Sequence, residues 1–254
     1  MREKCRRLAL IFFLLFSLAS YCGAQETEKS TSAPGADQGE WSEFEDPFAE
    51  GKTTIEVHDP IEPFNRGMFW VNDKLYFYLF KPVARGLRVI PEPGRISLSN
   101  FFSNLTTPVR FANCLLQLKF IDATHELSRF VVNSTLGIGG LFDPATKVGK
   151  IPKKKEDFGQ TLGRYGVGPG FYLVLPVLGP SNVRDTAGLA GDYYLDPWTY
   201  MADSEDWLIA KTVDKENELS LDEDTYEDIK KQALDPYLFI RNAYAQRREG
   251  QIKK

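Results

Sequence analysis

Cysteine, histidine and long apolar runs are all scarce in this sequence, and each scarcity removes a class of explanation. The 254 residues hold three cysteines, Cys5, Cys22 and Cys114. Cys5 falls in an N-terminal segment that reads as a secretory signal, so neither a disulfide framework nor a zinc spacing is available. Only two histidines occur, His58 and His125, and the His125-Glu126 pair lacks the His-Glu-x-x-His spacing of a zinc hydrolase. No Gly-x-Ser-x-Gly elbow is present. The run Gly137-Ile-Gly-Gly140 lacks the Gly-Lys-Ser/Thr ending of a phosphate-binding loop, and no strand pattern precedes it. A helix stop followed by a turn accounts for it better. The residues thus offer no site for nucleophilic or metal-assisted hydrolysis, and the expectation is a protein that is not an enzyme.

The longest apolar run, Leu8 to Leu18, is 11 residues, well short of the roughly 20 that cross a bilayer. Arg2, Lys4, Arg6 and Arg7 precede it and small residues follow, which is the order of a secretory signal over residues 1–24. Two cuts are compatible with the sequence. One lies before Cys22, which would then be acylated as a lipid anchor, although Tyr21 is large for the position ahead of such a cysteine; the other lies after Ala24. With Cys22 acylated or removed, Cys114 is left as the free thiol.

Charge is unevenly spread. Of the net −4, residues 1–24 contribute +3, and residues 25–58 contribute −7 from nine acidic and two basic side chains, which leaves residues 59–254 neutral. A neutral body argues against nucleic acid as partner, because phosphate binding needs a concentrated basic surface. Residues 25–58 are dominated by Glu, Ser, Thr, Gly and Ala and read as a disordered acidic tether. The folded body is expected over 59–248, with a flexible tail at 249–254.

Alternating strand patterns are nearly absent, so the body is expected to be mainly α, with short irregular Gly/Pro-rich segments. The first helix is predicted from Pro63 to Phe80, ended by Pro82. Seven of the 17 residues from Phe64 to Phe80 are aromatic, among them Phe64, Phe69, Trp70, Tyr76, Phe77 and Phe80. A helix that is apolar nearly all round must be enclosed by protein or lipid, and its Tyr and Trp content suits a membrane interface as well as a core. A second helix is predicted from Pro108 to Phe120, where Arg110, Asn113 and Gln117 share a stripe about 60 degrees wide. The next, Asp122 to Leu136 with Asp122 as N-cap, repeats the stripe with Glu126, Arg129 and Asn133. Such stripes can face water or line a polar channel. The glycine- and proline-rich stretch 159–197 reads as loops and short elements. Three further helices are predicted over Trp198–Val213, Leu219–Ala233 and Tyr237–Arg248, the last capped by Asp235-Pro236.

Several motifs, weak singly, are specific in their order and spacing: Asp59-Pro-Ile-Glu-Pro-Phe-Asn-Arg66; Leu98-Ser-Asn-Phe101 with Asn104-Leu105 and Pro108; Arg129-Phe130 with Asn133, Leu136-Gly137 and Gly139-Gly140; Phe158-Gly159 with Thr161-Leu-Gly163, Tyr165-Gly-Val-Gly168 and Leu175-Pro176; Arg184-Asp185; and Asp235-Pro-Tyr237 with Arg241, Ala243-Tyr244 and Gln246-Arg247. In this series the sequence resembles the MlaA (VacJ) family of outer-membrane lipoproteins over residues 59 to 248. The resemblance implies a single ring-like helical domain without a cofactor, lying in the inner leaflet of the outer membrane at its periplasmic face. It implies retrograde transport, in which misplaced outer-leaflet phospholipid passes through an amphipathic channel to a soluble periplasmic lipid-carrier protein, in association with a trimeric porin. On this reading Arg110, Asn113, Gln117, Glu126, Arg129 and Asn133 are candidates for the channel lining. Gly137, Gly139 and Gly140 are candidates for a gate, and the six aromatics of the first helix for membrane contact. The rival reading is a porin-associated envelope scaffold that moves no lipid.

Overall fold

The structure is a computed structural model that describes residues 56–201, 203–222 and 224–254. The expected signal, Cys22 and residues 25–55 of the acidic stretch lie outside the described residues. The described chain is mainly α, as the sequence predicts, and a single two-stranded antiparallel sheet is the β structure found among the described residues.

Helix α1 spans Glu62–Leu75 and runs without a break into a π-helical turn, Tyr76–Phe80, and then into α2, Lys81–Leu87. The sequence predicts a stop at Pro82, and the structure continues through it. A proline ring clashes with the carbonyl four residues back and supplies no N–H. The wider turn, in which the Lys81 N–H donates to the Tyr76 carbonyl, loosens the helix just ahead of the ring and accommodates it.

Helix α3, Glu92–Leu105, is absent from the sequence reading, because Pro91, Pro93 and Gly94 mask a start that proline in the first turn tolerates. Helices α4, Thr107–Leu116, and α5, Phe120–Thr135, form a closely packed helical hairpin. The predicted helix to Phe120 ends early because Leu118 adopts a positive φ of 60°. Lys119, not Asp122, is the N-cap of α5, and Asp122 lies in its first turn.

The stretch expected as loops holds real elements. After α6, Pro144–Lys147, come α7, Phe158–Arg164, the strands β1, Tyr172–Leu175, and β2, Gly179–Asn182, and then α8, Val183–Leu195. The strands pair from Tyr172 with Asn182 to Leu175 with Gly179. A Cβ on Gly188 would stand 2.5 Å from the Gly159 nitrogen, so α7 and α8 touch through their backbones, and glycine is there for contact rather than for a loop.

The C-terminal third holds α9, Trp198–Met201, α10, Ser204–Leu221, α11, Thr225–Gln232, and α12, Pro236–Lys253. The single helix predicted over 198–213 is split at Asp203, whose extended backbone starts α10. The helix predicted from Leu219 begins after Asp224, which is left-handed at φ 63°. Asp235 caps α12 as predicted, accepting from the Tyr237 and Leu238 N–H groups at 3.0 and 3.2 Å. The helix then continues through residues 249–253, expected as a tail.

The opening motif builds a joint. Asn65, fully buried, donates to Asp59 at 2.8 Å and to the Tyr172 carbonyl at 2.9 Å, and it accepts from the Val174 N–H at 2.9 Å. Asp59 also accepts from the Tyr237 hydroxyl and from Arg241. One carboxylate and one amide therefore tie α1, β1 and α12 together, around an apolar cluster of Tyr172, Val174 and Tyr237. Val57 packs on that cluster and the His58 carbonyl accepts from the Tyr172 N–H at 2.9 Å, so the body begins ahead of Asp59.

Polarity is distributed inside out. Among the described residues, 22 polar or charged side chains are buried against 10 hydrophobic ones. Large apolar side chains stand on the outside instead: Trp70, Tyr78, Phe120, Ile121, Leu136, Ile138 and Val148 are all more than 60% exposed. Where such side chains gather into a patch they mark a contact surface for protein, ligand or membrane.

Candidate functional site

The α4–α5 hairpin carries both polar stripes, and the structure brings them together in one buried layer. Arg110, Asn113, Gln117, Glu126, Arg129 and Asn133 are all buried, with Asn113 and Glu126 fully so. The water-facing reading of these stripes is thereby excluded. Three and four residues apart on each helix, they share its inner face, while Leu115, Leu116, Leu127 and Val131 point outward.

Each charge in the layer has a counter-charge. Arg110 donates through Nε to Glu126 at 2.7 Å, and through its terminal nitrogens to the Thr106 and Thr107 hydroxyls, each at 2.8 Å, and to the Ser103 carbonyl at 3.0 Å. The second oxygen of Glu126 accepts from the Lys154 backbone N–H at 2.7 Å. Arg129 pairs with Asp143 at 2.8 Å and donates to the Ile151 carbonyl at 2.7 Å and to the Thr146 hydroxyl. Asn133 donates to Asp143 at 2.9 Å and accepts from the Ala145 N–H at 3.1 Å. At the other end Asn113 donates to Asp192 at 2.8 Å and accepts from Thr161 at 2.9 Å, and Gln117 donates to Thr161 at 3.1 Å and to Glu156 at 2.9 Å. The result is a continuous polar seam joining α3 and the α4–α5 hairpin to the segments bearing α6, α7 and α8. Hydrogen bonds of this kind, shielded from water, are worth more made than broken.

Sequence reasoning missed the second halves of these pairs. Asp143, Thr161, Glu156 and Asp192 lie between 10 and 79 residues from their partners. The signal for Asp143 was present: Asp143-Pro-Ala-Thr146 is a helix-start pattern, and Asp143 does cap α6, accepting from the Thr146 N–H at 3.1 Å. Asn104 was quoted only as part of a motif; it donates to Ser134 at 3.0 Å and lies under the glycine turn.

That turn is a close-fitting roof. The Gly139 and Gly140 N–H groups donate to the Ser134 and Asn133 carbonyls at 3.0 and 2.9 Å, and Phe142 donates back to Gly137 at 3.0 Å. Gly140 sits at φ 96°, and a Cβ there would meet the Asn104 side chain at 2.6 Å; a Cβ on Gly137 would meet the Asn133 and Phe142 carbonyls at 2.4 Å each.

The aromatic helix divides. Phe64 and Trp70 remain exposed, whereas Phe69 lies edge-on to Tyr237 at 5.8 Å, and Tyr76 and Phe77 contact Tyr226 at 4.7 and 6.3 Å; Phe80 is half-buried. Its buried members are polar, Asn65 and Asp73. Cys114 is fully buried, and burial pushes its thiol up to about 12, which makes it unreactive. No group of three or more metal-ligating side chains occurs among the described residues, and none of their helices is long and apolar enough to cross a membrane.

The chain has known relatives. The family model described as MlaA lipoprotein matches residues 57–251. A protein of Rickettsia prowazekii (strain Madrid E) is 38% identical over 203 residues, covering 78% of this chain and 80% of its own length. The Escherichia coli (strain K12) protein named intermembrane phospholipid transport system lipoprotein MlaA is 36% identical over 198 residues, covering 75% of this chain and 77% of that protein. A solved structure described as "Structural basis for maintenance of bacterial outer membrane lipid asymmetry" superposes with a TM-score of 0.64 at 33% identity, covering 76% of this chain and 98% of its own.

Proposed function

The chain belongs to the MlaA lipoprotein family, and from that premise we propose that it is the outer-membrane component of a retrograde phospholipid transport system. It takes mislocalised phospholipid from the outer leaflet through an amphipathic path and passes it to a soluble periplasmic carrier, beside a trimeric porin. The observation that carries this reading is the inside-out distribution of polarity. Apolar side chains on the outer faces of α1 and α5 bind acyl chains in the plane of one leaflet, while the buried seam keeps a polar interior within a lipid-surrounded body. Of the six candidate aromatics, Phe64 and Trp70 are the two left exposed for membrane contact. The six seam residues form the polar wall of the lipid path, and the roof at Gly137, Gly139 and Gly140 is the element whose displacement would open it.

Protein purified in mild detergent is expected to carry phospholipid in stoichiometric amount, measured by lipid extraction and mass spectrometry. Protein that is lipid-free yet restores outer-membrane integrity would overturn transport in favour of a porin-associated scaffold. One observation favours that second reading. Arg110 and Arg129 are both paired to carboxylates within the protein, so neither offers its full charge to a lipid phosphate.

Anchoring is a separate matter. We propose that Cys22 is acylated and that the acidic stretch links this anchor to the body. The intact mass of the mature protein is expected to carry a diacylglyceryl adduct on Cys22; a mass that begins at Gln25 would show that the embedded body holds the membrane unaided.

A further inference from the structure

Beneath the glycine roof lies a polar cavity of about 10 Å³, walled by Asn104, Thr107, Arg110, Arg129, Asn133 and Asp143 among others. Two of the residues that line it each carry one polar atom buried without a protein partner: Nε of Arg129 and Oδ1 of Asn104. The two residues are 4% and 6% exposed. One is a donor and the other an acceptor, and a buried group of either kind without a partner costs roughly 1–3 kcal/mol.

From this geometry we infer that the cavity is a binding site for a single structural water, which accepts from Arg129 Nε–H and donates to Asn104 Oδ1. Three observations select water over other small ligands. The space, about 10 Å³, is of the order of one water. The walls are electrically balanced, Arg110 against Glu126 and Arg129 against Asp143, so no net charge draws an ion. The missing partners are one acceptor and one donor, which a water supplies together.

The orientation of Asn104 follows from chemistry as well. Its nitrogen donates to the Ser134 hydroxyl at 3.0 Å, which leaves Oδ1 as the amide atom for the water. Gly140 leaves room for Asn104 beneath the roof, since a Cβ at that position would overlap Asn104 Cβ at 2.6 Å. The water therefore completes the seam where α3, α5 and the roof meet, whether or not the protein moves lipid.

Full-length mature protein labelled with ¹⁵N-arginine, in detergent micelles, tests the site through magnetisation transfer from water to the Arg129 Hε. A persistent cross-peak is expected in the natural protein and in Asn104→Asp, which keeps the acceptor; it is expected to be lost in Asn104→Leu, which fills the cavity. Absence of the cross-peak from the natural protein, or its survival in Asn104→Leu, would overturn the proposal. Should Asn104→Leu not fold, a crystal structure of the natural protein decides. One isolated oxygen within hydrogen-bond reach of both atoms supports the site; an empty cavity, a direct Arg129–Asn104 contact or a larger ligand refutes it.

Discussion

Replacing Arg248 with alanine is expected to cost roughly 3–5 kcal/mol of stability, the range for removing one partner from a buried ion pair, and to lower the unfolding midpoint by roughly 6–20 °C. Arg248 is the pin of the C-terminal helix. Its terminal nitrogens grip both oxygens of Asp157 at 2.6 and 2.9 Å, and its Nε donates to Asp185 at 2.8 Å. Asp157 is the N-cap of α7, accepting from the Gln160 N–H at 2.8 Å. Asp185 lies in the first turn of α8 and accepts also from Arg184 at 2.9 Å, Tyr244 at 2.6 Å and Asn182 at 2.7 Å. One guanidinium thus fastens α12 to the starts of two other helices, and alanine would take from a carboxylate that is only 8% exposed one of its two guanidinium partners. Circular dichroism during heating in mild detergent measures the loss.

The same cluster sets an acid limit. Burial alone would raise the Asp185 carboxyl, but the bonds from Arg248, Arg184 and Tyr244 outweigh it and hold it down at about 2. A carboxyl depressed from an unfolded value of about 3.9 contributes stability that is complete above that value. The contribution fades as pH falls through the folded value, so it is present at neutral pH and lost between about pH 4 and pH 2. In Arg248→Ala the bond that most opposes burial is gone, and this part of the acid dependence is expected to move to higher pH.

How much of this was legible depends on whether the decisive contact is local. The stripes Arg110-Asn113-Gln117 and Glu126-Arg129-Asn133 were readable because helical spacing alone puts them on one face. Which way the face pointed was not. That depends on Asp143, Thr161 and Asp192, whose partnerships with the stripes form only after long loops close. Polar residues on an amphipathic helix ordinarily meet water, and here the apolar exterior reverses the rule. The Pro82 stop failed for a related reason: a π turn is a tertiary accommodation, held here by Tyr226 against Tyr76 and by Glu227 against Lys81, and nothing local encodes it. Gly159 and Gly188 read as loop residues because sequence cannot distinguish a glycine that bends the chain from one that lets two helices touch. The Asp235 cap was legible because its bonds reach only two and three residues ahead.

Glu126→Ala tests the seam itself, and a loss of roughly 3–5 kcal/mol is expected there too. Glu126 is fully buried and answers two donors, Arg110 Nε and the Lys154 backbone N–H, each at 2.7 Å. Alanine would leave a guanidinium that is itself only 9% exposed without its counter-charge, and it would remove one of the ties between α5 and the segment around Lys154. Replacing both partners, Arg110→Met with Glu126→Leu, removes the charge and its desolvation together, so most of the loss is expected to be recovered. A double-mutant cycle by thermal unfolding gives the coupling between the two, and a double variant no more stable than Glu126→Ala would show that the pair is not the source of the loss. The apolar pair also separates stability from transport. If the seam serves only to hold the hairpin, the folded double variant restores outer-membrane lipid asymmetry as well as the natural protein does. If its polarity forms the wall of the lipid path, the double variant folds, reaches the membrane and leaves phospholipid in the outer leaflet.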